Sequence, residues 1–192
     1  MKRFSRLALA SVLMVAACRR QEPPPPSETT MPMMETTATT PASGPYDLQF
    51  IDSMTRHHQM AINMAKMAEP NFAHKELKEA ARKIVDDQQA EIERLKSWRD
   101  QWYPGAASAE NMQMPGMSSI SMDMSHMQTM SGNQLDLMFI DMMVPHHQGA
   151  VELANDALAK AEHAEIKDLA REIVAKQTRE IEQLQQWKNA WS

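Results

Sequence analysis

The sequence predicts an all-α protein, a four-helix bundle made of two duplicated helical hairpins joined by a long methionine-rich crossover. Three observations carry that expectation. Sliding the chain by 89 residues lays 47–102 over 136–191 without a gap, with 26 of 56 positions identical. Within each copy the apolar residues step by fours and threes, as on one face of a helix. The composition is 43% hydrophobic but only 5% aromatic, with five glycines in 192 residues, which suits helices better than a β-sandwich.

Each element follows in order. Residues 1–17 read as a secretory signal, with Lys2, Arg3 and Arg6 ahead of a short apolar run from Leu7 to Ala17. The run is too short to span a bilayer. It ends in Val15-Ala16-Ala17-Cys18, which resembles the bacterial lipobox and implies cleavage before Cys18 and lipidation of it. Arg19 after that site implies sorting to the outer membrane. Loss of the signal takes the formal charge from −5 to −8, which argues against a nucleic-acid partner. Residues 18–45 read as a tether, rich in Pro, Ser and Thr and carrying Met31, Met33 and Met34. The folded domain is expected over 46–192. Its first helix runs from about Asp47 to Glu69, where Pro70-Asn71 breaks it, and its second from about His74 to Tyr103, where Pro104-Gly105 stops it. The crossover covers 104–134, and the second copy repeats the hairpin. Two hairpins with apolar stripes cover each other most simply as a bundle.

Polar residues interrupt the stripes. Gln88 and Glu91 sit on the apolar seam of the second helix, and Gln177 and Glu180 repeat the violation. On the first helix the seam reads Ile51, Met54, His58, Ala61 and Ala65, with His57 beside it. Folding each hairpin back near residue 71 brings these polar residues to one level, and the second copy brings His146 and His147 to a matching one. Two readings fit. One is a hydrogen-bond network that fixes helix register. The other is a metal site with histidine ligands and carboxylates oriented behind them, Asp52 and Asp141 included. The paired histidines flanked by Met54 and Met143 favour the metal. Pro145, just before His146, removes a helix hydrogen bond to the Asp141 carbonyl unless the regular helix starts there. His74 and His163 are far from this level and read as solvated or capping.

Methionine is the compositional outlier, nineteen against four phenylalanines. The crossover holds Met112, Met114, Met117, Met122, Met124, Met127 and Met130, with His126 among them. No single period places these on one face, so core filling fails as an explanation, and mobile soft ligands for Cu(I), or for Ag(I) by the same logic, are expected. An adaptable apolar recognition loop is the other reading. Thioethers carry no proton to lose, so binding by the crossover is expected to persist in mild acid, where histidine titrates near its unperturbed pKa of ~6.5. Met54, Met60, Met64 and Met67 have helical spacing, and at least two are expected in the core.

Met143-Val144-Pro145-His146-His147-Gln148-Gly149-Ala150 resembles the core motif of the family known as domain of unknown function 305. Met54-Thr55-Arg56-His57-His58-Gln59-Met60-Ala61 is its second copy. The resemblance covers roughly 47–191. It implies a helical, ferritin-like fold and kinship with periplasmic copper-binding proteins of the CopM type. Carried over position by position, the implied ligands are Met54, His57, His58, Met64, Met143, His146 and His147. The copies depart from the motif unequally. Leu153 stands where the first copy has Met64, and Arg56 and Met60 replace the Pro and Gly of the second. Unequal metal binding by the two halves follows.

Other chemistries lack their residues. No Glu-x-x-His pair supports a di-iron site, and the single cysteine excludes a thiolate zinc site. No phosphate loop or nucleophile elbow is present. The expectation is a lipid-anchored periplasmic protein on the inner leaflet of the outer membrane. It binds Cu(I) or Cu(II), with silver as a further ligand, and acts in sequestration, resistance or transfer to an efflux or chaperone protein rather than as an enzyme. The alternatives are a cuprous oxidase using the histidine cluster and an interaction lipoprotein that binds no metal. Replacing Cys18 with Ser should release the protein from the membrane fraction on centrifugation. Retention there would contradict the lipid anchor.

Overall fold

In the computed structural model, which describes residues 44–192, four α-helices follow one another in the expected order. The signal segment, Cys18 and all but the end of the tether lie outside the described residues. Helix α1 spans Tyr46–Ala68, α2 Lys75–Trp102, α3 Gly132–Lys160 and α4 Ala164–Trp191. The architecture is all-helical, as the repeat requires. Pro45 precedes α1, where its missing N–H is no loss, and its carbonyl accepts from the Gln49 N–H at 3.1 Å. Pro70 lies in the 3-10 turn Glu69–Asn71 that ends α1. Beyond α2, Gly105 takes a left-handed φ of 73° that turns the chain away. Helix α3 runs unbroken through Pro145, so the helix does not start there and the Asp141 carbonyl lacks its usual donor.

Helices α1 and α2 pair as one hairpin, α3 and α4 as the other, and the two meet through α1 and α3. The apolar core is divided into two ends. One holds Phe50, Ile51, Leu95, Ala154 and Ile173; the other holds Ala65, Leu77, Phe139, Ile140 and Leu184. Each end is closed by stacked tryptophans, Trp98 on Trp102 and Trp187 on Trp191, with ring centroids 5.5 Å apart in both pairs. Reciprocal carboxylate ties join the hairpins. Buried Asp47, at the start of α1, accepts the backbone N–H groups of Glu162 and His163. Buried Asp136, at the start of α3, accepts those of Ala73 and His74. Each carboxylate also lies 2.6 Å from the Nδ1 of that histidine. His74 and His163 stand at the N-cap positions of α2 and α4, as a capping role requires, but their side chains are tied to the carboxylates rather than to their own helices. They bridge the hairpins, and they stack on Trp191 and Trp102 at 3.7 and 3.8 Å.

The crossover is a packed layer rather than a free loop. Its 3-10 turns Met117–Ile120 and Ser125–Thr129 lie against α1 and α3. Met117 is fully buried, and Met114 and Met127 nearly so, which corrects the expectation that these sulfurs fill no core. Irregular turns bury residues at no fixed interval, so the missing period was no guide to exposure. Two glycines allow the docking. Gly116 has φ 78°, and a Cβ there would stand 1.9 Å from the Gly149 carbonyl oxygen. A Cβ on Gly149 would stand 2.1 Å from Ser119 Oγ and 2.5 Å from the Gly116 oxygen. The motif glycine of α3 is thus the seat of the crossover, and Met60 occupies the matching position on α1.

Gly to Ala within a helix ordinarily stabilises by about 0.5–1 kcal/mol. Gly149→Ala should instead destabilise by about 1–3 kcal/mol, because the added methyl overpacks the docked turn. Urea denaturation reads the sign directly, and a gain in stability would contradict the packing described.

Candidate metal centre

Between the two apolar ends lies a polar layer. His57, His58, His146 and His147 are all completely buried, with Gln88, Gln177 and Glu91 beside them. The helices place them there by spacing alone. Met54, His57 and His58 stand at i, i+3 and i+4 on α1, and Met143, His146 and His147 repeat this on α3, so each trio shares a face. Both methionines are fully buried. Across the α1–α3 contact the His57 and His146 rings face each other, centroids 4.0 Å apart and tilted by 54°. His58 Nε2 lies 2.8 Å from Glu91 Oε2, and His147 Nε2 lies 2.9 Å from Glu180 Oε2. Neither close approach has the alignment of a hydrogen bond.

The electrostatics keep the central pair neutral. Burial, reinforced by the neighbouring imidazoles, holds His57 and His146 well below the ordinary histidine range. Mild acid therefore does not protonate them as the unperturbed value implies, and pH 5 no longer separates sulfur from imidazole binding. Glu91 behaves oppositely. Burial alone would raise its pKa, but His58 and Lys176 outweigh that and hold it at about 2. Lys176 Nζ is 2.8 Å from Glu91 Oε1, so this carboxylate already has a cation. Glu180 has no such lysine and is more exposed, 21% against 5%.

The layer's donor chemistry suits a metal. Eleven buried side-chain nitrogen and oxygen atoms among the described residues lack a hydrogen-bond partner, and all belong to these histidines, glutamines and Glu91. An unsatisfied buried polar group costs about 1–3 kcal/mol, so such a layer stands against stability unless something else engages it. Among the described residues, no three His, Cys, Asp or Glu side chains converge as a ready-made site. Imidazole nitrogen supplemented by thioether sulfur is the donor set available, which suits copper better than a hard cation.

Of the sequence-derived candidates, the structure buries His57, His58, His146, His147, Gln88, Glu91 and Gln177 in the polar layer with Glu180 at its edge, while Met54 and Met143 flank the layer in opposite apolar ends. Met64 is fully buried two turns beyond His57, in the apolar end that also holds Met143. Asp52 and Asp141 do not stand behind the histidines. Asp52 binds Arg99 Nε at 2.6 Å and the Ala109 N–H at 2.9 Å, while Asp141 pairs with Lys188 at 2.5 Å. Each lies one residue past a seam position, Ile51 or Ile140, and so turns about 100° away from it. The crossover methionines divide. Met114 and Met117 join the end that contains Met54, and Met127 joins the other, with Met122, Met124 and Met130 partly buried against it. Met112 and His126 are exposed. Ser119 was missed: its Oγ lies 2.9 Å from His57 Nε2. A serine in a polar turn carries no periodic signal. Asp47 and Asp136 were also missed as ties, although their identity in both copies marked them.

Comparison with known proteins fits this geometry. The family described as domain of unknown function DUF305 matches residues 47–188. The structure described as CopM in the Cu(II)-bound form is 40% identical, covering 76% of this chain and 97% of that one, with a TM-score of 0.66. CopM in the Cu(I)-bound form is 37% identical over 76% of this chain and 96% of that one, with a TM-score of 0.65. A putative secreted DUF305 protein from Streptomyces coelicolor is 26% identical over 72% of this chain and 88% of its own, with a TM-score of 0.64. No curated protein matches the chain. Matched by the family over most of its length, and folded as its solved relatives are, the chain belongs to the DUF305 family.

Proposed function

We propose that this protein binds copper, as Cu(I) or Cu(II), and sequesters it or passes it on rather than catalysing a reaction. The observation that carries this reading is the buried layer of four imidazoles, seven of whose eight ring nitrogens lack an aligned hydrogen-bond partner among the described residues, flanked by Met54 and Met143. Its nitrogens need a partner, and two sulfurs stand one helical turn away. Relatives solved with Cu(II), Cu(I) and silver support the same choice of metal. Silver follows as a second ligand, since Ag(I) shares the softness of Cu(I). The chain would act in the periplasm, held to the outer membrane through Cys18, and would exchange copper with an efflux or chaperone protein.

The layer would hold the ion through His57, His146, Met54 and Met143, with His58 and His147 lying against the Glu91 and Glu180 carboxylates. Bound there, copper would be shielded from water and from adventitious oxidation. The partly exposed crossover methionines, Met112, Met122, Met124 and Met130, would make a second, shallower set for Cu(I). Burial of Met114, Met117 and Met127 disfavours a sticky recognition loop, because a partner could not reach them.

Metal analysis after dialysis tests the reading. The full-length Cys18→Ser protein, exposed separately to Cu(I), Cu(II), Ag(I) and Zn(II), should retain copper and silver and release most of the zinc. A protein that leaves dialysis free of all four overturns the proposal. Converting Met112, Met122, Met124 and Met130 to Leu should leave the fold intact, since volume-conserving apolar exchanges cost less than about 1.5 kcal/mol. The Cu(I) stoichiometry of that variant should fall while tightly held copper stays. Unchanged stoichiometry would place all the copper in the helical layer.

A further inference from the structure

Among the described residues, one crossover hydroxyl hydrogen-bonds a histidine of the layer, and that histidine, His57, belongs to the first repeat. Ser119 Oγ lies 2.6 Å from the Gly116 carbonyl oxygen. A carbonyl oxygen only accepts, so Ser119 donates its single proton there. The same Oγ lies 2.9 Å from His57 Nε2 and can only accept from it. His57 therefore carries its proton on Nε2. A neutral imidazole has one N–H, which leaves the lone pair on Nδ1, and that atom is buried without a partner. His146 differs: among the described residues no side chain meets its ring nitrogens in hydrogen-bond geometry, and the polar group near them is the His57 backbone.

We propose that Ser119 is a positioning residue that holds His57 as the Nε2–H tautomer and so presents Nδ1 as its metal-binding nitrogen. The inference rests on the copper reading above and assigns it a residue outside the repeat. A metal-binding histidine ordinarily donates its other ring N–H to an oxygen, which orients the ring and raises the basicity of the bound nitrogen. Ser119 meets that need here. Its place is set by backbone: Gly116 approaches α3 at Gly149 so closely that a Cβ on either would collide. The first copy carries Met60 where the second has Gly149, so the same approach to α1 is closed. One crossover thus equips one histidine, and the two halves become chemically unequal although their sequences are duplicated.

Nitrogen-15 NMR of the imidazoles tests this on the full-length Cys18→Ser protein, first metal-free and then with Ag(I), which is diamagnetic. The metal-free protein should show His57 with Nε2 protonated and Nδ1 bare, and Ag(I) should move the Nδ1 resonance. Ser119→Ala should convert His57 to a tautomer mixture and weaken Ag(I) binding about ten- to a hundredfold, with little change in Tm. Ser119→Thr keeps a hydroxyl and should restore both. A protonated Nδ1 in the metal-free protein, a silver shift at Nε2, or an unaltered tautomer and affinity in Ser119→Ala would each overturn the role. Because the tautomer is read before metal is added, the two readings fail separately. A wrong tautomer removes Ser119 alone, whereas the stated tautomer without any Ag(I) uptake overturns copper binding and this role together.

Discussion

Four buried imidazoles at the centre of a helical bundle set the terms for everything around them. Protonated together, they would place four like charges in a site without water, so burial keeps at least the central His57–His146 pair neutral. Neutral rings still need hydrogen-bond partners or ligands, and most of theirs are missing. The bundle accepts that cost because both ends are packed conventionally. Phe50, Ile51 and Leu95 on one side and Leu77, Phe139 and Ile140 on the other supply apolar burial, and Asp47 and Asp136 tie the hairpins beyond them. The stable parts lie far from the layer, which leaves the layer free to be chemically demanding.

Duplication supplies the symmetry of that layer, and a single crossover breaks it. Equivalent positions become different in kind. Glu91 is neutralised by Lys176, while Glu180 faces the groove between α2 and α4 with Lys83, Arg179, Leu184 and Trp187. The position that matches Lys176 in the first copy is Asp87, its own partner at 3.5 Å, so one exchange of charge has made a bond across the pseudo-twofold. Gly149 admits the crossover and Met60 does not. The duplicated halves are thus non-identical at the layer.

Much of the fold was legible because it depends on periodicity. The repeat, the seam of threes and fours, and the breaks at Pro70 and Pro104 placed the two helices of the first hairpin to within one residue at each end. The layer was legible for the same reason: Gln88, Glu91 and His58 violate a seam that would otherwise be apolar. What lacked a period was hidden. Met114, Met117 and Met127 lie in an irregular segment whose burial is decided by which surface it docks on. Ser119 acts through a contact 62 residues distant in sequence, seated by two glycines. Asp52 and Asp141 were near the histidines in sequence but on a neighbouring face, where Arg99 and Lys188 take them.

The central claim is that imidazole and thioether together hold copper in the buried layer. X-ray absorption at the copper K edge, on protein loaded with one equivalent of Cu(I), measures this directly. The account predicts sulfur in the first shell together with the outer-shell scattering pattern of imidazole, and loss of the imidazole pattern in a His57→Phe, His146→Phe variant that still folds. A first shell of sulfur alone, unchanged in that variant, would contradict it and move the metal out to the crossover.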